Sequence, residues 1–68
     1  MKIKAQSFQP LKGTVYVVEM AFPSGSVAQG VFKTLQAANK LKATIEANAE
    51  MAYVRVGHFT DSGDIETI

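Results

Sequence analysis

The run Thr14–Phe22 (TVYVVEMAF) constrains the fold more than any other stretch of the chain. It is dominated by β-branched and aromatic residues, which fit a pleated, half-buried surface and lose rotamer freedom in a helix. Gly13 precedes it and Pro23-Ser24-Gly25-Ser26 follows it, the punctuation expected around a strand. Val27–Phe32 is a second β-type run directly beyond that turn, so the two read as a hairpin. Gly30 weakens the second strand and marks a bulge there. Upstream, Ile3, Ala5 and Ser7 alternate with Lys2, Lys4 and Gln6, a period of two that predicts a strand over Ile3–Phe8. Gln9-Pro10-Leu11-Lys12-Gly13 ends it.

The period changes after Phe32. Thr34 stands as an N-cap before LQAANKLKATIEANAE, and Leu35, Ala38, Leu41, Ile45 and Ala49 fall on one helical stripe. This predicts one helix over about Thr34 to Glu50. Met51–Thr60 (MAYVRVGHFT) returns to strand composition, and Asp61–Ile68 reads as a polar, acidic tail with a frayed end. The order β-β-β-α-β places the chain in the α+β class. A four-stranded, mostly antiparallel sheet with one helix packed on one face is expected, forming a single small domain over residues 1–68. The helix makes the strands it joins parallel. The expected strand order is 3-2-1-4, with the last strand beside the first.

Composition narrows the chemistry. The chain has 68 residues, no cysteine and one histidine. Disulfides, cysteine-ligated zinc, iron–sulfur clusters and thiol catalysis are excluded, as is a multi-histidine metal site. At 47% hydrophobic and 19% charged residues the chain belongs among folded proteins rather than disordered ones. Its net charge of +1 is too small to attract nucleic acid or membrane in bulk. The layout is uneven: Lys2, Lys4, Lys12, Lys33, Lys40 and Lys42 face Glu19 alone in the first part. In the second, Arg55 faces Glu46, Glu50, Asp61, Asp64 and Glu66. These halves either pair within the fold or form a dipolar surface that steers a partner. The N-terminus lacks the apolar run of a signal peptide, and no stretch approaches the about 20 apolar residues of a membrane span, so a cytoplasmic location is expected.

Strand parity separates two faces. Ile3, Ala5, Tyr16, Val18, Met20, Phe22, Phe32, Val54 and Val56 are expected under the helix. Lys2, Lys4, Val15, Val17, Glu19, Val27, Gln29, Val31, Tyr53, Arg55 and Phe59 are expected opposite. That second set carries valines and aromatics where a solvated face would carry Thr, Lys and Glu. The chain's tail, with Ile65 and Ile68, can cover it, as can a second copy or a foreign partner. The expectation is cover by another chain, with Val15, Val17, Val31, Tyr53, Arg55 and Phe59 as the interface.

No catalytic constellation emerges. His58 has no nucleophile at motif spacing and reads as a satisfied structural residue. Asp61, Asp64 and Glu66 lack the register of a calcium loop and read as a solvated turn. Glu46 and Glu50 occupy the C-terminal part of the helix, against its dipole. Arg55 between Tyr53 and Phe59 resembles the aromatic-plus-basic surfaces of single-strand RNA readers.

Tyr53–Asp61 looks like a strand motif of peptidoglycan-binding sporulation-related domains. Val31-Phe32-Lys33-Thr34, leading into an alanine-rich helix, is similar to the arm-type DNA-binding domains of integrases. The small sheet-with-one-helix layout resembles short phage inhibitor proteins that occlude host machinery. The expected function is a non-enzymatic protein-interaction factor, phage- or mobile-element-like, inhibiting a partner by occlusion or acting as a homodimer. The alternative is a nucleic-acid-binding accessory protein. No cofactor, metal or catalytic residue is expected, and the partner is a protein or the chain itself rather than nucleic acid or membrane.

Overall fold

The computed structural model describes Lys2, Ile3 and residues 8–68. It shows the α+β class: one antiparallel sheet with one helix packed on it. The elements are β1 (Lys2–Ile3), β2 (Val15–Phe22), β3 (Gly25–Phe32), α1 (Leu35–Ala47), β4 (Ala52–Phe59) and β5 (Ile65–Thr67). Their order across the sheet is β1-β5-β4-β2-β3. The sequence-predicted first strand, Ile3–Phe8, falls mostly outside the described residues.

The β2–β3 hairpin forms where its composition demands. Phe22 pairs with Gly25 across Pro23-Ser24, so β3 starts earlier than the sequence suggests. Gly25 adopts φ 132°, a backbone state that side-chain-bearing residues avoid. The bulge is real: Val18 pairs with Gly30 but Glu19 with Ala28, leaving Gln29 as the extra residue.

Thr34 caps α1 as expected, its Oγ1 accepting from the Ala37 N–H at 3.2 Å. Ala38 is fully buried, and Leu41 sits so close over Gly30 that a Cβ there would lie 2.9 Å from Leu41 Cδ2. Gly30 is thus a seat for the helix as well as a bulge residue. The helix ends in a Schellman arrangement. Ala49 N–H bonds the Glu46 carbonyl at 3.1 Å and Glu50 N–H the Ile45 carbonyl at 3.4 Å, with Ala49 at φ 62°.

The strand order differs from 3-2-1-4. β4 pairs with β2, register Val17↔Arg55 and Glu19↔Tyr53, and not with the first strand. Helix diameter supplies the reason. A helix about 10 Å wide spans two interstrand spacings of about 4.8 Å, so a one-helix crossover from β3 skips one strand and lands beside β2. β3 and β4 are both antiparallel to β2 and hence parallel to each other, as expected.

The tail also differs from expectation. Instead of fraying, it turns through Thr60 N–H to the Asp64 carbonyl (2.7 Å) and pairs as β5 with β4, register Phe59↔Ile65 and His58↔Glu66. Gly57 permits this approach, because a Cβ at that position would collide with the Glu66 carbonyl. β1 then pairs with β5, register Ile3↔Ile65.

Candidate interaction surface

Val18, Gly30 and Val54 lie in register beneath Leu41, which fixes this as the helix side of the sheet. The opposite side carries Val15, Val17, Glu19, Tyr53, Arg55 and Phe59, as strand parity predicts, and Val31 with them. The structure therefore brings all six predicted interface residues onto one face. It does not leave that face bare. Val15, Val17 and Ile65 are 0% exposed and form one cluster, with Phe8, Leu11, Ala28, Val31 and Phe59 packed against it. Val15 and Val17 are interior in the single chain, so the expected second chain over them gives way to the chain's own loop and tail. Ile65 supplies that cover, whereas the Ile68 side chain is 99% exposed.

The other end of this face is polar. Glu19 is only 3% exposed, an unusual site for a carboxylate, and it is paired: Arg55 Nε donates to Glu19 Oε2. A buried carboxylate without such a partner costs several kcal/mol, on the order of 3–5 when one member of a buried pair is removed. Arg55 also lies over the Tyr53 ring, 4.9 Å from its centroid, and the Tyr53 hydroxyl hydrogen-bonds Ser26 Oγ. Burial pulls the guanidinium pKa down, but hydrogen bonding to Tyr53 and Glu19 and their charge attraction outweigh it, so Arg55 titrates above its ordinary value. The arrangement ties β3, β2 and β4 together through side chains. The surface suggested by Arg55 between two aromatics is thus largely spent: its charge is neutralised by Glu19 and one aromatic, Phe59, belongs to the apolar cluster.

The ion pairs among the described residues are Lys42–Glu46 at 3.0 Å along one helix face and Arg55–Glu19, which joins the minority charge of each half. His58 is exposed in β4 rather than enclosed. Among the described residues no group of His, Asp or Glu is placed to hold a metal ion. No helix of the structure is long and apolar enough to cross a membrane.

The exposed apolar residues lie elsewhere. The chain leaves α1 and enters β4 at Ala52, level with Met20, and the hairpin runs on past that level to Phe22 and Gly25. There Phe22 is 40% exposed and Val27 51%. Val27 pairs with Met20, so both residues belong to the helix side. Parity alone puts Val27 on the opposite side; the bulge at Gln29 shifts the alternation by one and reverses it. Met51, 72% exposed, adds to the same end, its carbonyl accepting from Ala21 N–H at 2.9 Å. The signal for this surface was present in Gln29-Gly30, but a glycine announces a bulge without saying on which side of it the register slips.

No protein-family model, curated protein or solved structure matches the chain.

Proposed function

We propose that the chain is a non-enzymatic protein-interaction module that works by covering part of a partner protein, with the end of the β2–β3 hairpin as its docking element. One observation carries the reading: Phe22 and Val27 are 40% and 51% exposed on the helix side of the sheet, diagonal to each other near the end of the hairpin, with Phe22 opposite Gly25 and Val27 opposite Met20. Large apolar side chains grouped in this way gain free energy only by being covered, and aromatic anchors contribute most to protein interfaces. The hairpin that presents them is held by the Glu19–Arg55–Tyr53–Ser26 network on its other side. A rigid presenting element loses little conformational entropy on docking.

The test is partner capture by the wild type beside Phe22→Asp, with melting curves for both. The reading expects an interacting protein retained by the wild type and lost with Phe22→Asp while the fold persists. A titration with single-stranded and duplex nucleic acid over a salt series is the competing arm. Tight nucleic-acid binding that weakens steeply with salt, unaffected by Phe22→Asp, would replace this reading with a nucleic-acid-binding one.

A further inference from the structure

The two edges of the sheet differ. β1, at one edge, carries Lys2, with Lys4 just beyond it in sequence. Lysine on an edge strand is a common device against unwanted pairing. β3, at the other edge, runs Gly25–Phe32 with no charged residue and no proline. Its bulge leaves Gly25–Ala28 as a regular stretch before Gln29.

The hydrogen-bonding sense of that stretch follows from the register. Ala21 N–H bonds the carbonyl of Met51, the residue just before β4, so the odd-numbered residues of β2 bond toward β4 and the even-numbered ones toward β3. Ile68 N–H bonding the Val56 carbonyl at 2.9 Å fits the same alternation one strand further on. On β3 the partners of Met20 and Phe22, which are Val27 and Gly25, bond inward. Ser26 and Ala28 turn their N–H and C=O groups to the open edge.

We propose that a second copy of this chain pairs with that edge, β3 antiparallel to β3 about a two-fold axis at Val27. Such an axis places Ser26 opposite Ala28 of the partner in both directions, so each outward N–H meets an outward carbonyl. It also sets the two Val27 side chains face to face on the helix side, covering the residue that is 51% exposed in the single chain. The stretch Ser26-Val27-Ala28 suits its own reverse: a small residue meets a small residue on one side, and a β-branched residue meets its twin on the other. No charge on β3 opposes the approach. A foreign strand would satisfy the hydrogen bonds equally; self-pairing is favoured because the two residues flanking Val27, Ser26 and Ala28, are both small and uncharged and so can stand opposite one another. The inference builds on the interaction-module reading, since the pairing brings both Phe22 side chains onto one continuous sheet face.

Sedimentation from micromolar to millimolar concentration, with hydrogen exchange of the Ser26 and Ala28 amides, tests it without any other protein. The wild type is expected to dimerise and to protect those two amides in step. Val27→Lys and Val27→Asp alone are each expected to raise the dimer midpoint concentration by roughly tenfold or more, and an equimolar mixture of the two to restore association. A monomer at every concentration, a dimer whose Ser26 and Ala28 amides stay unprotected, or a dimer indifferent to both substitutions would overturn the proposal. Those outcomes remove self-pairing alone; the docking role of Phe22 is decided separately by Phe22→Asp.

Discussion

The two faces of the sheet are covered by different means, and the less regular cover gives the more complete burial. On the helix side, α1 lies across β2, β3 and β4, yet among its residues only Ala38 is fully buried and Leu35 stays 49% exposed. The other side carries no helix among the described residues. A loop bearing Phe8 and Leu11 and the three-residue β5 enclose Val15, Val17 and Ile65 completely. Burial follows the fit of side chains rather than the regularity of the backbone that carries them. A single α-helix laid on a wider sheet must leave rims, and the hairpin end with Phe22 and Val27 is one of them. A loop and an edge strand can be shaped to a patch, and here they close over it.

The comparison breaks most sharply at Ile65. Ile65→Ala removes a fully buried side chain from the helix-free face and is expected to cost about 3 kcal/mol, whereas Ile45→Ala, from a half-buried position on α1, is expected to cost about half as much. Denaturant midpoints of the two variants measure it; a larger loss for Ile45→Ala would make the helix side the principal core. Gly57→Ala tests the same face through its backbone. The new methyl meets the Glu66 carbonyl, so β5 must retreat, at an expected cost of about 2 kcal/mol and with loss of exchange protection at the Ile68 amide. Unchanged stability and protection would show that β5 is not what closes this side.

The smallest effect belongs to the helix side and has the opposite sign. Ala49 occupies a left-handed position, φ 62°, at which an L-residue is strained and glycine is not. Ala49→Gly is expected to stabilise the fold by about 1 kcal/mol, raising the melting temperature without altering the other face. A lower melting temperature would mean that the Schellman turn gains more from the methyl group than it loses in backbone strain.

Local sequence by itself determined the α+β class, the hairpin, the helix with its Thr34 cap, and the fourth strand. Each depends on dihedral preference and on the period of apolar residues within a few positions, which any segment carries with it. It also determined that Val15, Val17, Val31, Tyr53, Arg55 and Phe59 share a face, because parity along a strand is local. Three features were decided only by the tertiary structure. β4 lies beside β2 because the width of a helix sets how far a crossover can step. Val27 lies on the helix side because the bulge takes its register from Glu19 and Ala28 on paired strands, and a lone glycine cannot specify that. Ile65 is interior because Gly57, on the strand just before it, lets a polar-looking segment approach as a strand. Pairing between separated segments is a property of the space between them, and the residues that settle it look ordinary until both strands are in place.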